Sequence, residues 1–168
     1  MGKCTLRKAY REELPLCLEI LSSGREFQRQ QGFVQWDDAH PSQAAVEEDI
    51  RRGEGYALRV DGALAGSLCL SFEGDPAYED IVGAWRYKGD YGVIHRMVIG
   101  EEFRGKGLTG TVFRLAAQIA AARGVQILRI DTHAENLRMR HVLEKHGFVY
   151  CGDVIQNGGH RLAFDQKV

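Results

Sequence analysis

Residues 93–110 read VIHRMVIGEEFRGKGLTG, and the order of features in this stretch decides the fold. An apolar run reaches Ile99, a turn rich in glycine follows, and apolar residues then recur at helical spacing from Leu108 onward. A strand, a glycine-rich turn and a helix in this order present backbone N–H groups at the start of the helix, where they can hold a phosphate. The stretch therefore predicts a phosphate-binding turn within an α/β protein.

The residue after Lys106 separates two kinds of phosphate-binding turn. Gly100, Gly105 and Lys106 stand as in the P-loop of nucleotide triphosphatases, which needs Ser or Thr after the Lys to bind Mg²⁺. Gly107 stands there instead, and it has no hydroxyl group. The run ILRID at 127–131 could be the acidic strand of such a protein, but apolar strands that end in Asp are common. The sequence therefore disfavours a P-loop.

Composition predicts a single soluble domain over residues 1–168. Apolar residues make up 44% of the chain and charged residues 27%, as in ordinary globular proteins. The net charge of −1 favours neither nucleic acid nor a membrane surface as a partner. The four cysteines form no C-x-x-C pair, so we expect no metal site and interpret Cys17 and Cys69 as reduced core residues. No signal peptide or membrane-spanning run is visible, which predicts a cytoplasmic protein.

The remaining patterns predict the element order β, α, α, β-hairpin, β, α, β, α, β, β. Asp61-Gly62 between two apolar runs is typical of a hairpin, and Ser42 is a candidate helix cap. Residues 73–90 mix turn formers with aromatic side chains, which indicates an excursion between strands. Helices are expected from Glu12 beyond Gly24 towards Phe27, after Ser42, over 108–123 and over 136–146, and strands over 5–10, 56–60, 63–72, 91–99, 125–132, 148–154 and 161–164.

A second segment, DTHAENLRMRHVLEKHGFVYCG at residues 131–152, completes a pattern with the first. Together they resemble the GNAT superfamily of N-acetyltransferases, in which a strand leads to an R/Q-x-x-G-x-G/A turn and a later helix opens with Asn and ends in an E-K-x-G-F-like sequence. The matching residues are 104–109, Asn136 and 144–148. The QW…HPS stretch and the combination of IHR with EKHGF resemble bacterial members more narrowly. The resemblance implies an α/β (α+β) fold with a central mixed, mostly antiparallel twisted sheet of about six or seven strands and about four flanking helices.

The resemblance also implies acetyl-CoA as co-substrate. In the family the pantetheine arm pairs with the exposed end of the central strand, and the pyrophosphate sits on the amides of the turn at the helix N-terminus. Arg104 and Lys106 would add positive charge to the turn, or they are solvated surface residues. Thr109 stands where the family has Gly or Ala, and Asn136 either contacts the cofactor, caps its helix, or does both. The implied cofactor-binding residues are Met97, Val98, Ile99, Arg104, Gly105, Lys106, Gly107, Leu108, Thr109 and Asn136.

Three positions bear on the catalytic residues: Leu143, His95 and His133. The family often has a Tyr seven residues after the Asn to protonate the leaving thiolate, and Leu143 stands at that position. His95 is the candidate base, since strand alternation predicts it on one face with Val93, Met97 and Ile99, although a structural histidine would fit there too. His133 is the reserve candidate.

The acceptor site is predicted from the resemblance alone. The resemblance implies contributions from Phe33, Trp36, Asp37, Asp38, Trp85 and Tyr150. The acidic residues beside Trp36 would suit a cationic amine, or they belong to a solvated loop. The sequence thus predicts a metal-independent N-acetyltransferase, monomeric or homodimeric, that moves an acetyl group directly from acetyl-CoA to a primary amine of a small molecule or peptide. A GNAT fold that senses acyl-CoA without turnover is the alternative.

Overall fold

A computed structural model describes residues 2–168 as a mixed α/β protein with five α-helices and eight strands. The helices are α1 (Leu14–Gln30), α2 (Gln43–Arg51), α3 (Pro76–Glu79), α4 (Leu108–Ala122) and α5 (Leu137–Lys145). The strands are β1 (Cys4–Lys8), β2 (Gly55–Val60), β3 (Ala63–Ser71), β4 (Val82–Gly83), β5 (Gly92–Ile99), β6 (Ile127–Thr132), β7 (Val149–Gln156) and β8 (Gly159–Lys167).

The strands follow one another in the sheet in the order β1-β2-β3-β5-β6-β8-β7-β4. β5 and β6 run parallel, whereas β1–β2, β2–β3, β6–β8, β7–β8 and β4–β7 are antiparallel pairs. The predicted mixed, mostly antiparallel sheet is therefore confirmed. The expected counts of strands and helices were too low, because the excursion at 73–90 contains the two-residue β4 and the four-residue α3. Elements this short carry no sequence periodicity.

The chain divides into two compact units, one of residues up to Leu70 together with 96–115, and one of 71–95 together with 116–168. In the first unit, the β2–β3 hairpin turns at Asp61 (φ 49°) and Gly62 (φ 85°), as the Asp-Gly pair predicts. Ser42 caps α2, since its Oγ accepts a hydrogen bond from Ala45 N–H at 3.1 Å. The core of this unit includes Cys17 of α1, as expected, with apolar residues of β2 and β3.

In the second unit, Tyr78, Val93, Val154 and Ala163 form a buried cluster. Asn136 caps α5 by accepting a hydrogen bond from Met139 N–H at 3.2 Å, so its predicted capping role is confirmed. β7 and β8 extend beyond the predicted strands. In β8 the consecutive residues Ala163, Phe164 and Asp165 are all buried, and so is Arg161, so burial in this strand does not follow a simple apolar alternation.

Candidate active site

β5 keeps its parallel neighbour over only part of its length. Its register with β6 joins residues 92–94 to residues 128–130 and, within the described chain, ends there. Residues 97–99 complete the strand beyond this point. Because each residue of a strand carries a donor and an acceptor, backbone groups without a neighbouring strand remain available to another partner. The end of β5 therefore has the extended geometry that could pair with an elongated ligand.

The turn after β5 exposes its backbone at the start of α4. Gly105 and Gly107 have φ values of 74° and 72°, in the left-handed region that favours glycine. Apart from the glycine itself and its two chain neighbours, no atom of residues 2–168 lies within 4 Å of the position that a Cβ would take at either glycine. The first N–H groups of the 15-residue helix α4 have no acceptor within the helix, and the helix dipole favours an anion near them. At these two positions the backbone of the turn can therefore approach a phosphate with no side chain in between.

The two cations of this turn are placed differently. The Arg104 guanidinium is directed at α1, where Nη2 donates to Ser23 Oγ at 3.0 Å and the ring of Phe27 lies 4.3 Å beneath it. Its Nε also donates to the Ile99 carbonyl at 3.2 Å, and burial lowers its pKa. Lys106 is exposed, with its ammonium group 5.4 Å from the ring of Phe103. Arg104 thus braces the turn against α1, while Lys106 is the cation presented to solvent.

His95, the candidate base, has a carboxylate partner that the sequence did not reveal. Its Nε2 lies 2.9 Å from Asp75 Oδ2, and both side chains are largely buried. Asp75 is itself fixed, since Ala77 N–H donates to Oδ1 at 2.9 Å and Gln156 Nε2 donates to Oδ2 at 2.7 Å. Burial alone would raise the pKa of Asp75, but the hydrogen bonds and the charge of His95 outweigh burial and lower it. An ionised Asp75 that holds Nε2–H leaves Nδ1 of His95 as the nitrogen that can accept a proton.

Tyr78 and Asp131 lie beside this pair within the same unit. The Tyr78 ring centroid is 6.0 Å from that of His95, and its hydroxyl donates to Asp131 Oδ2 at 2.8 Å. Burial, followed by the charge of Asp131, raises the pKa of Tyr78 well above its ordinary value. Burial also raises the pKa of Asp131. Tyr78 is therefore a poor proton donor, and it is a buried core residue beside His95.

The other proton-transfer candidates are constrained. His133 Nδ1 accepts a hydrogen bond from Glu135 N–H at 3.1 Å, and burial followed by the charge of Arg161 lowers its pKa. Leu143 is fully buried in α5. The position where the family often carries Tyr is thus occupied by a core residue.

The first group of predicted acceptor residues lies in the segment between α1 and α2. Phe33 is buried. The Trp36 ring lies close to Gly24 of α1, since a Cβ at Gly24 would be 3.1 Å from it. The Asp37 carboxylate turns back on its own loop, where it accepts hydrogen bonds from the N–H groups of Ala39 at 2.8 Å and His40 at 2.6 Å. The bond from the His40 backbone is the main cause that lowers the pKa of Asp37.

Asp38 and the remaining acceptor candidates have partners of their own. Asp38 pairs with Arg29 at 2.5 Å. The Trp85 indole N–H donates to the Tyr78 carbonyl at 3.0 Å, and its ring lies 4.1 Å from the guanidinium of Arg129. Tyr150 is exposed and donates its hydroxyl to Asp153 at 2.7 Å. The first unit thus contains Phe33, Trp36, Asp37 and Asp38, and the second contains Trp85 and Tyr150.

A cavity in the first unit is lined by apolar residues of α1, α2, β2 and β3 and by an ion pair. Arg96 Nε and Nη2 each donate to one oxygen of Asp49, both at 2.7 Å. Ligand atoms of Asp49, Glu54 and Cys69 lie within 4.8 Å of one another, a spacing that could hold a metal ion. However, burial raises the pKa of Cys69 to about 12, and Arg96 already engages both oxygens of Asp49. This cluster is therefore better suited to an ion pair than to a metal.

Comparison with known proteins identifies the family. A model of the acetyltransferase (GNAT) family matches residues 19–148, more than half of the chain. The chain belongs to the GNAT acetyltransferase family. None of the curated proteins matches the sequence significantly.

Solved GNAT structures share the fold over almost the whole chain. A GNAT-family acetyltransferase from Streptococcus agalactiae is 28% identical, with a TM-score of 0.89 over 100% of this chain and 98% of that one. A second, from Listeria monocytogenes, is 19% identical, with a TM-score of 0.78 over 98% and 95%. The aminoglycoside acetyltransferase AAC(6')-Ib, solved with paromomycin and acetyl-CoA, is 23% identical, with a TM-score of 0.71 over 98% and 93%. Among residues 2–168, every helix is too short or too polar to span a membrane.

Proposed function

We propose that this GNAT protein transfers an acetyl group from acetyl-CoA to a primary amine of a small molecule or peptide, in a direct ternary complex without a metal. The observation that carries the proposal is the early end of the β5–β6 pairing at residue 94, followed by the open glycine turn at the start of α4. In the proposed complex, the pantetheine arm pairs with residues 97–99, and the pyrophosphate binds the amides of residues 105–109. Lys106 faces the phosphates, while Arg104 holds the turn in place. The AAC(6')-Ib complex supports acetyl-CoA as donor and an amine as acceptor.

His95 is the proposed base in this reaction. Asp75 holds its Nε2–H, and Nδ1 takes a proton from the substrate ammonium group, directly or through a water. The amine nitrogen then attacks the thioester carbon, and a backbone N–H near Ile99 stabilises the negative charge that develops on the carbonyl oxygen. When the tetrahedral intermediate collapses, the nitrogen gives its second proton to water, the carbon–sulfur bond breaks and CoA leaves as a thiolate. A thiol with an ordinary pKa of ~8.5 is a tolerable leaving group, and water can protonate it where Leu143 replaces the usual Tyr.

Two measurements on the purified chain test this proposal. Isothermal titration with acetyl-CoA should show binding. Release of free thiol should then be followed with polyamines, aminoglycosides, amino acids and short peptides as acceptors. We expect thiol release that depends on both acetyl-CoA and at least one amine. Absence of acetyl-CoA binding would refute the proposal.

The buried Leu143 keeps a second candidate function open, a GNAT fold that binds acyl-CoA without turnover. Both functions require acetyl-CoA to bind, so only the second measurement separates them. Binding without thiol release across all acceptor classes would favour the sensor.

A further inference from the structure

Arg96 has a backbone conformation that its residue type disfavours. Three residues other than glycine have positive φ within residues 2–168: Asp61, Asn157 and Arg96. Asp61 and Asn157 lie in hairpin turns, and their short polar side chains tolerate this conformation. Arg96, at φ 50°, lies inside a strand and has neither advantage. A strained residue at such a place persists only when its surroundings hold it there.

An ion pair with α2 supplies that restraint. Both oxygens of Asp49 accept hydrogen bonds from the Arg96 guanidinium in a two-pronged arrangement, at 2.7 Å each. The Asp49 residue is only 9% exposed. Burial would lower the pKa of Arg96, but the hydrogen bonds and the charge of Asp49 outweigh burial and raise it. Because separating a buried pair leaves an uncompensated charge, Asp49 resists any conformation of β5 that withdraws the Arg96 side chain.

Arg96 directly precedes residues 97–99 of β5, the segment proposed to pair with the pantetheine arm. Residues 97–99 follow Arg96, and their path is closely fitted, because a Cβ on Gly66 would lie 2.5 Å from the Val98 carbonyl oxygen. Gly100 N–H donates to the Ala65 carbonyl at 2.8 Å. The conformation of Arg96 therefore sets the direction in which the next peptide groups point.

We propose that Asp49 and Arg96 are positioning residues, which hold the left-handed conformation in β5 and thereby orient the peptide groups of residues 97–99 for the thioester end of acetyl-CoA. This inference rests on the proposed function, because it assigns those peptide groups to the cofactor. Asp49 and Arg96 lie outside both the turn at residues 104–109 and the pair of His95 and Asp75. A left-handed conformation held by the ion pair affects acetyl-CoA binding and turnover, whereas an ion pair that only stabilises the fold affects stability alone.

The test compares four substitutions of Arg96 in an Asp49→Asn background, so that no variant buries an unpaired carboxylate. Arg96→Gly, Arg96→Asn, Arg96→Ala and Arg96→Val all remove the charge, but they differ in how readily the new residue takes positive φ. Glu48→Gln, which removes an exposed ion pair with Arg51 on the same helix, is the control. The readouts are kcat, the KM for acetyl-CoA and the dissociation constant of acetyl-CoA, with circular dichroism to confirm folding.

We expect kcat divided by the acetyl-CoA KM to fall in the order Gly, Asn, Ala, Val, with Ala roughly 5- to 30-fold below Gly. Thermal stability should vary less than activity. Equal activity in the four variants, or an order that follows side-chain size alone, would overturn the inference. If Arg96→Val does not fold, the comparison of Asn with Ala decides, because Asn is the larger side chain but takes positive φ more readily. If the wild-type protein binds acetyl-CoA but acetylates no amine, the proposed acetyl transfer is refuted but the positioning role is not. The dissociation constants of acetyl-CoA would then rank the four variants in place of kcat divided by KM.

Discussion

His95 and Asp75 form a proposed catalytic pair of which the sequence reveals only one member. The strand pattern places His95 inside β5, and the resemblance to GNAT proteins makes it a candidate base. Asp75 stands 20 positions earlier, in a segment typical of turns, and nothing in its local sequence links it to a histidine. The contact is formed by the excursion at 73–90, whose path depends on the packing of Tyr78 against Val93 and Val154. Packing of this kind has no short-range sequence pattern.

We expect His95→Ala to lower kcat by about 10²-fold or more, because general base catalysis contributes on this scale. The affinity for acetyl-CoA should stay within about twofold, since no cofactor contact is assigned to the imidazole. Steady-state kinetics and calorimetry on the same preparations measure both quantities. His141→Ala removes an exposed imidazole and serves as the control. Unchanged turnover in His95→Ala would show that His95 is a structural residue.

Asp75 should also make the stability of the fold depend on pH in the acid range. Its pKa is lower in the folded protein than its ordinary value of ~3.9, so its stabilising contribution is fully present above that value and is lost as the pH falls through the folded pKa. Asp75→Asn should therefore be less stable than the wild type at pH 7, and the difference should shrink by pH 3. Urea unfolding at both pH values gives the two differences. A difference that is the same at both would contradict the lowered pKa.

At the scale of elements, the turn between β5 and α4 was predictable because its chemistry is local. Glycines at fixed positions before an apolar helical pattern indicate an open backbone, and Gly105 and Gly107 do take left-handed φ values. The direction of the Arg104 side chain was not predictable, because Ser23 and Phe27 lie about 80 positions away along the chain. The sequence offered Arg104 and Lys106 as equivalent cations, and their different partners distinguish them only in the fold.

We expect Gly105→Ala to weaken acetyl-CoA binding by roughly 5- to 30-fold, because an L-residue disfavours the left-handed conformation that opens the turn. Gly124→Ala is a closely matched control. Gly124 has φ 75°, close to the 74° of Gly105, and at both residues no described atom beyond the glycine and its chain neighbours lies within 4 Å of the position of a Cβ. Both substitutions should therefore lower the free energy of unfolding by similar amounts, about 1 kcal/mol. Calorimetry should detect weaker acetyl-CoA binding in Gly105→Ala but not in Gly124→Ala. An equal loss of affinity in the two variants would show that the turn does not bind the cofactor.

At the scale of the whole molecule, the division into two units bears on the predicted single domain over 1–168. The boundaries after residues 70, 95 and 115 fall inside β3, β5 and α4. Domain boundaries usually fall in exposed linkers, where few contacts cross. β3, β5 and α4 each contribute residues to both units. If the part of such an element in one unit unfolds, the backbone hydrogen bonds at the boundary with the other part are lost. We therefore propose that the units unfold together.

Thermal unfolding with and without acetyl-CoA tests this proposal together with the identity of the ligand. Far-UV and near-UV circular dichroism should report a single coincident transition, as a cooperative domain requires. Acetyl-CoA at about 100 times its dissociation constant should raise the midpoint by roughly 5 to 10 °C, because a ligand of the folded state stabilises by mass action. Mg-ATP should leave the midpoint unchanged, since Gly107 provides no hydroxyl where a P-loop binds Mg²⁺. Two transitions, of which acetyl-CoA moves only one, would show instead that the units are independent domains and that one of them alone holds the cofactor.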